Sequence, residues 1–250
     1  MKAAFIAWFI ISVAAIPARA DDSEDQVVQA IQRLGGRVVR DDKDSKHSVI
    51  GVSLRVSRAT NADLKQIATM TSLRTLHLSS SISDDGLKDL TKLQKLETLS
   101  LSGTRVTDSG LKEVAKLRNL RILRMTSANV TDAGLKELAP LKNLTELVLT
   151  KSKVTDAGLK ELANFKDLRL LDVSLLSVTD LGIKALLPLK DLEDLEMQST
   201  KVTDTGLKEL VGFTHLRKLN ILGTKVTSAG VASLRKALPK CEIQEDADMQ

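Results

Sequence analysis

Tyrosine is absent from this 250-residue chain, which has only one tryptophan and four phenylalanines. Three of these five aromatic residues, Phe5, Trp8 and Phe9, fall within the first 20 residues. Proteins that bind single-stranded nucleic acid stack bases on aromatic side chains, so this binding mode is excluded for most of the chain. Tight protein interfaces that depend on aromatic anchors are disfavoured for the same reason.

Cysteine is equally scarce, since Cys241 is the only one. A single thiol cannot form an internal disulfide, so the fold must be stabilised by its core. Charge of one sign is also lacking, because 37 basic residues face 32 acidic ones and the net charge is +5. The charges alternate and form no basic block, which argues against nucleic acid or an anionic membrane as the partner.

The one long apolar run lies at the start of the chain. Lys2 precedes the 14 apolar residues 3–16, and Ala-Arg-Ala follows at 18–20. This pattern predicts a secretory signal over residues 1–20. The run is short for a membrane span, which needs about 20 residues, so an uncleaved anchor is the weaker alternative. We therefore expect an exported protein, periplasmic, envelope-associated or secreted, with no membrane insertion after signal removal.

A glycine that recurs every 24 residues marks an internal repeat. Around it stand the related phrases VTDSGLKEV, VTDAGLKEL and VTDTGLKEL. Self-similarity at this period is typical of a solenoid, in which each unit stacks on its neighbours. The repeated glycines are Gly86, Gly110, Gly134, Gly158, Gly182, Gly206 and Gly230.

One unit, residues 96–120, contains the elements of the repeat. Leu99 and Leu101 alternate with polar residues, as in a strand with one buried face. Leu111 and Val114 are three apart and line one side of a helix. Repetition of strand and helix predicts an α/β fold: a right-handed solenoid with a parallel concave sheet and short convex helices.

The same unit carries a resemblance to a known family. Leu96, Leu99, Leu101, Thr104 and Val106 match the pattern L-x-x-L-x-L-x-x-N/C-x-L, with threonine in the Asn/Cys place. Over residues 50–243 the chain resembles leucine-rich-repeat proteins. Its T-D-x-G-L phrase is similar to the ribonuclease-inhibitor-like and cysteine-containing (F-box receptor-like) subclasses, and more so to exported bacterial arrays. The resemblance implies a horseshoe of about eight repeats from a family that binds proteins, sugars and lipids.

Both ends of the array need a cover, because a terminal repeat would expose its core side. The sequence offers a helix and a hairpin before the repeats and a short strand after them. We expect four segments: a signal peptide at 1–20, an N-terminal cap at 21–50, the repeat array at 51–238, and a closing strand with a disordered acidic tail at 239–250.

Three polar columns accompany the repeats, and each has a structural explanation. We expect the aspartates to cap the helices that follow them, because helix starts need acceptors, and not to form a ladder of cation ligands. We expect the glycines to permit close packing between turns, and not to cradle phosphate. Hydroxyls at Ser57, Ser80, Thr104, Ser152, Thr200 and Thr224 should bond nearby backbone, with interruptions at Ala128 and Leu176. The aspartates are Asp84, Asp108, Asp132, Asp156, Asp180 and Asp204.

Residues suited to catalysis are too dispersed for a reaction centre. His47, His77 and His215 lie in different parts of the array, and His77 is expected to be a solvated strand residue. Cys241 has no histidine near it and is expected to be buried. The phrases G-x-S-x-G, H-E-x-x-H and C-x-x-C do not occur. We therefore expect no catalytic residue, no cofactor and no metal site.

The outward positions of the predicted strands carry an uneven distribution of charge. Asp172 and Glu196 should lie side by side, with Asp194 next to them, and like charges on neighbouring strands repel. Such a cluster suits a partner with a basic segment; a merely solvated sheet face is the alternative. The candidate binding residues are Arg124, Glu146, Asp172, Asp194, Glu196 and Lys218.

Three functions are compatible with these features. The first is a non-catalytic exported module whose concave surface binds a protein or peptide. The second is a structural or self-assembling component of an envelope or surface layer. An F-box-like adaptor is a weaker alternative, because it is implied by the subclass resemblance alone and the export signal argues against it.

Overall fold

A computed structural model describes residues 22–247, in which short strands alternate with short helices. The predicted signal at 1–20 and the last three residues of the acidic tail lie outside the described part. The strands are β1 (Arg37–Arg40), β2 (Val49–Ser53), β3 (Thr75–His77), β4 (Thr98–Ser100), β5 (Ile122–Arg124), β6 (Glu146–Val148), β7 (Leu170–Asp172), β8 (Asp194–Glu196), β9 (Lys218–Asn220) and β10 (Glu242–Gln244).

One helix precedes the sheet, and each later helix lies between two consecutive strands. The helices are α1 (Asp22–Arg33), α2 (Asn61–Ile67), α3 (Asp84–Leu90), α4 (Asp108–Val114), α5 (Asp132–Glu137), α6 (Asp156–Leu159), α7 (Asp180–Ala185), α8 (Asp204–Glu209) and α9 (Ser228–Ala237). Short 3-10 helices follow α6 (Lys160–Asn164) and α8 (Leu210–Gly212).

The ten strands form one sheet in sequence order, β1 to β10. The β1–β2 pair is an antiparallel hairpin, and every pair from β2 to β10 is parallel. Adjacent parallel strands require a crossover, which the helices supply. The α/β solenoid with a parallel sheet is therefore confirmed.

The core is a continuous layer between the sheet and the helices. The central leucines of neighbouring strands, such as Leu123 and Leu147, are paired in register and fully buried. Helical leucines such as Leu135 cover them from the other side. Phe165 and Phe213 are also fully buried within this layer. Each buried leucine stabilises the fold by roughly 2 kcal/mol of transfer free energy, which compensates for the missing disulfide.

Ion pairs and hydrogen bonds fasten both ends of the solenoid. At the start, Arg40 of β1 pairs with Glu24 and Asp25 of α1. At the end, Glu245 is buried and pairs with Arg235 of α9 at 2.7 Å, and Asp246 accepts the Gly223 N–H. The first residues of the segment expected to be a disordered tail are therefore in place. Across residues 22–247, no helix is both long and apolar enough to cross a membrane.

Candidate binding face

The aspartate column links neighbouring repeats instead of capping its own helices. The N-cap of α4 is Thr107, whose hydroxyl accepts the Ser109 N–H. Asp84 of the preceding repeat reaches across: its Oδ1 accepts the Thr107 N–H at 2.8 Å and its Oδ2 accepts the Thr107 hydroxyl at 2.6 Å. The prediction of own-helix capping was wrong, because threonine occupies the cap and aspartate stands one position inside the helix. We call Asp84, Asp108, Asp132, Asp156, Asp180 and Asp204 the link row, since all six make this pair of bonds.

The ends of the link row follow the same logic. At the first repeat Asn61 replaces aspartate and bonds both the Ser83 N–H and the Ser83 hydroxyl. At the last repeat Ser228 replaces aspartate. No further threonine-capped repeat follows Ser228 within the described residues, so no acceptor is needed there.

The glycine column makes room for these links. A Cβ added at Gly206 would lie 2.5 Å from Asp180 Oδ1 and 3.1 Å from Asp180 Cα. Contacts this short force neighbouring atoms to move. Glycine is thus required by the aspartate of the repeat before it, which gives the expected close packing a specific cause.

The hydroxyl column is less regular than expected. Thr104 and Thr200 donate to backbone carbonyls three residues earlier, at 2.7 and 2.9 Å. Ser152 Oγ is buried and has no hydrogen-bond partner in residues 22–247, so the ladder is broken there as well. In the shortened repeat the buried hydroxyl belongs to Ser79, which donates to the Ala59 carbonyl, while Ser80 is exposed. The one-residue deletion shifts this position.

The concave columns have the register expected from the sequence. One column contains Glu146, Asp194 and Lys218, which occupy matching positions of β6, β8 and β9. The next column contains Arg124 and Asp172, from β5 and β7. Glu196 stands directly opposite Asp172. The sheet therefore places all six candidate residues on one face.

Arg124 and Glu146 form the closest ion pair on this face. The guanidinium Nε and Nη2 both approach Glu146 Oε1 at 2.6 Å. The Glu146 side chain is only 16% exposed, against 41% for Arg124. Glu146 is thus neutralised locally, and the acidic character lies further along the sheet.

Asp172, Asp194 and Glu196, which we call the acidic cluster, are only partly neutralised. Asp172 accepts bonds from the Thr150 hydroxyl and the Ser174 N–H. Burial raises the pKa of Asp194 above its usual 3.8, Lys218 opposes the rise, and Asp172 and Glu146 add to it. Burial likewise raises the pKa of Glu196, against a hydrogen bond from Asn220. Asp194 Oδ1 is buried without a hydrogen-bond partner among the described residues.

A groove of about 680 Å³ runs over β4 to β8 and contains much of this charge. Its lining includes Arg124, Glu146, Asp172 and Glu196, with apolar Val148 and Leu170 between them. That volume is within the range of pockets that bury small ligands. The groove therefore combines an apolar middle with charged ends.

Sequence reasoning missed the residues at the other end of the groove. Arg55 follows β2 and lines the groove, and its Nη2 lies 3.2 Å from His77 Nδ1. His77 was expected to be solvated but is only 9% exposed. Burial, followed by the charges of Arg55 and Arg124, lowers the pKa of His77 to about 4. Only the strand register, which places Arg124 two strands from His77, hints at this arrangement in the sequence.

Other reactive side chains do not converge on the groove. His215 lies near Asp191 at the strand entry, and Cys241 is buried, which raises its pKa to about 11. In residues 22–247, no group of three or more His, Cys, Asp or Glu side chains is arranged to hold a metal ion. The charges of the groove are thus placed for binding.

Comparisons with known proteins agree with this architecture. A family profile described as a leucine-rich repeat region matches residues 49–240. Comparison with curated proteins gave no match. Among solved structures, an internalin (inlF) from Listeria monocytogenes is 21% identical with a TM-score of 0.55, covering 73% of this chain and 56% of its own. A leucine-rich repeat protein from Leptospira interrogans is 23% identical with a TM-score of 0.55, covering 72% and 50%.

An internalin C2 from Listeria monocytogenes is 21% identical with a TM-score of 0.54, covering 92% of this chain and 88% of its own. This chain spans only about half the length of the first two structures. At these identities the likeness concerns the fold. The family profile covers more than half of the chain, from the first parallel strand to the last helix, and the chain therefore belongs to the leucine-rich repeat family.

Proposed function

We propose that this protein is a non-catalytic binding module whose concave groove binds a protein or peptide through a basic segment. One observation carries the proposal: Asp194 and Glu196 are half-buried carboxylates whose pKa values are raised by burial. Charge held in such surroundings is unfavourable until an opposite charge meets it. A lysine or arginine of a partner would supply that charge.

A merely solvated sheet face would not have these properties. Solvated carboxylates keep full hydration, whereas Asp194 Oδ1 is buried without a partner among the described residues. Glu196 stands opposite Asp172, so like charges also face each other across β7 and β8. Both features oppose folding and favour a cationic ligand.

Export and subclass belong to the same proposal. The residue pattern at 1–20 supports export to a periplasm, an envelope or the medium. Convex α-helices of about two turns, such as α4, support the ribonuclease-inhibitor-like subclass. Asp172, Asp194 and Glu196 are hydrogen-bonded or paired within the sheet, and no nucleophile–base pair accompanies them in the groove lining, which supports binding without catalysis.

The test removes charge from the groove without changing its shape. The double variant Asp194→Asn, Glu196→Gln is compared with the wild-type chain for binding of a fluorescent lysine-containing peptide, measured by anisotropy. We expect at least tenfold weaker binding, as for loss of a buried charge pair. The matched control Asp167→Asn, Asp191→Asn removes two exposed carboxylates outside the groove lining and should bind like wild type. Equal binding by both double variants would refute the proposal.

Self-assembly is a second candidate, favoured by the open edges of the sheet. Within residues 22–247, β1 and β10 each pair on one side only. Unpaired edges are templates for another strand. Their exposed charges are opposite, with Arg37 on β1 and Glu242 on β10, so head-to-tail contact between copies is electrostatically favourable.

Mass measurement by light scattering over a range of concentrations separates the two candidates. Self-assembly predicts mass that rises with concentration, loss of that rise in Arg37→Glu or in Glu242→Arg, and recovery when both changes are combined. A concentration-independent monomer would exclude it.

A further inference from the structure

The end of the groove opposite the acidic cluster is positively charged. Arg55 and Arg124 both border it, and the floor between them includes His77 and Ser100. We call these four residues the arginine end. The charges of Arg55 and Arg124 both act on His77, which shows that the two guanidinium groups lie near the same side chain.

Arg55 is held in place by the histidine beneath it. A guanidinium can only donate hydrogen bonds, so His77 Nδ1 must accept from Arg55 Nη2 across their 3.2 Å separation. The imidazole is then neutral and carries its proton on Nε2. In residues 22–247 no carboxylate pairs with Arg55, which is exposed on the groove side. Its remaining N–H groups are free for a ligand.

Arg124 is held by a different contact. Its Nε and Nη2 are directed at Glu146 Oε1, which leaves the rest of its five donors unused by that ion pair. Glu146 also cancels one of the two positive charges at this end. The net charge of about +1 matches a monoanion better than a doubly charged phosphate.

The floor between the arginines is shallow and polar. Ser100 is 2% exposed, and its hydroxyl lies 3.3 Å from Ser102 Oγ. Short side chains leave space for a planar group above them. Two guanidinium forks over hydroxyl groups are the donor set that suits a carboxylate, which accepts paired N–H bonds.

We propose that the arginine end is a carboxylate-binding site, so that the groove selects a dipolar segment with an anion at Arg55 and Arg124 and a cation at the acidic cluster. This inference rests on the proposed function, because it assumes that a cationic group binds at Asp194 and Glu196. The carboxylate can come from an acidic side chain or from the C-terminus of a peptide.

The strand spacing sets the length of that segment. Arg124 lies on β5 and Glu196 on β8, three strand steps apart. At about 4.8 Å per step this is roughly 14 Å, which about four residues of extended chain would span. A lysine and a glutamate four positions apart should therefore reach both ends.

The experiment measures anisotropy of labelled pentapeptides with the full chain. The reference probe is acetyl-Lys-Ser-Gly-Ser-Glu-amide, and its companions replace Glu with Gln, or Lys with Gln. A further Gln probe with a free C-terminal carboxylate distinguishes the two carboxylate sources. We expect the wild type to bind the Glu probe about tenfold more tightly than the amidated Gln probe, the effect of charge-assisted bonds.

Arg55→Gln should remove that tenfold preference, and Arg121→Gln should keep it, because Arg121 is exposed and outside the groove lining. Circular dichroism of each variant verifies folding. If wild type binds both Glu and Gln probes equally but still requires lysine, the carboxylate site is refuted while the proposed function stands. If binding does not require lysine, or no probe binds at millimolar concentration, the dipolar groove is refuted together with its acidic end.

Discussion

The link row and the acidic cluster occupy the same repeats and both contain aspartate, yet their surroundings differ. Asp204 of the link row accepts the N–H and the hydroxyl of Thr227, and these bonds lower its pKa below 3.8. Asp194 of the acidic cluster is partly buried beside other carboxylates, and its pKa is raised. The first environment favours the charged form and the second opposes it.

This contrast separates structural from functional carboxylates without any comparison of homologues. Groups that stabilise the fold have their charge satisfied inside the chain, as Asp84 is by Thr107. Groups that serve a ligand are left incompletely satisfied, and such sites commonly reduce stability. The link row should therefore lose stability when altered, and the acidic cluster should gain it.

The largest effect is expected from Gly206→Ala, which tests the link row through its packing. Alanine in place of glycine normally stabilises a helix by about 1 kcal/mol. Here the new methyl group would overlap Asp180 Oδ1 and displace it from Thr203. We expect a loss of about 3 kcal/mol, from overpacking and broken hydrogen bonds, measured by urea unfolding followed by circular dichroism.

Gly212→Ala is the matched control for this substitution. An added Cβ there would lie 3.8 Å from its nearest neighbour, Lys190 Nζ. We expect no loss, or a gain of about 0.5 kcal/mol from the stiffer unfolded chain. Equal unfolding free energies for the two variants would contradict the role assigned to the glycine column.

The next effect comes from removing one link directly. Asp156→Ala deletes acceptors for the Thr179 N–H at 2.8 Å and the Thr179 hydroxyl at 2.6 Å. We expect a loss of about 2 kcal/mol, as for two hydrogen bonds to a charged group. Asp156→Asn should lose less than about 1 kcal/mol, because Asn61 already performs this task opposite Ser83.

Ser228→Ala is the corresponding control in the last repeat, where no later threonine needs an acceptor in the described chain. It should change the unfolding free energy by less than about 0.5 kcal/mol. If Ser228→Ala costs as much as Asp156→Ala, the aspartates cap their own helices after all.

A smaller effect of opposite sign is expected at Asp194→Asn. The amide removes a half-buried charge that lies near Asp172 and Glu146, so we expect a gain of about 0.5–1 kcal/mol at pH 7. Because the folded-state pKa of Asp194 is raised, its charge reduces stability as pH rises from 3.8 through that pKa. The gain should therefore vanish at pH 3, where both side chains are neutral.

Unfolding free energies at pH 7 and pH 3 provide this measurement, and Asp191→Asn, an exposed carboxylate near His215, is the control. A loss of stability in Asp194→Asn at pH 7 would place Asp194 with the link row. The distinction between the two regions would then fail at its central residue.

How far the sequence predicts the two regions depends on which distances decide them. The 24-residue period fixes strand order and register, so the positions of Asp172 and Glu196 follow from counting alone. The link row was misassigned because Thr107 and Asp108 are both good caps, and only coordinates show which carboxylate crosses to the next repeat. Arg55 was missed because it follows β2 in a degenerate repeat, where the period gives no position for its side chain.

The smallest effect is a pair of titrations that gives the contrast its sharpest form. Side-chain carbon NMR should find Asp204 titrating below 3.8 and Asp194 above it. Asp204 then contributes stability above pH 3.8 that is lost as pH falls through its lowered pKa, the reverse of Asp194. Thr227→Ala should move the Asp204 pKa upward by removing the donor hydroxyl, and Lys218→Met should move the Asp194 pKa further up by removing the nearest opposing charge. Titration of both carboxylates on the same side of 3.8 would mean that their hydrogen bonds and burial do not distinguish them, and the assignment of one set to folding and the other to binding would have to be withdrawn.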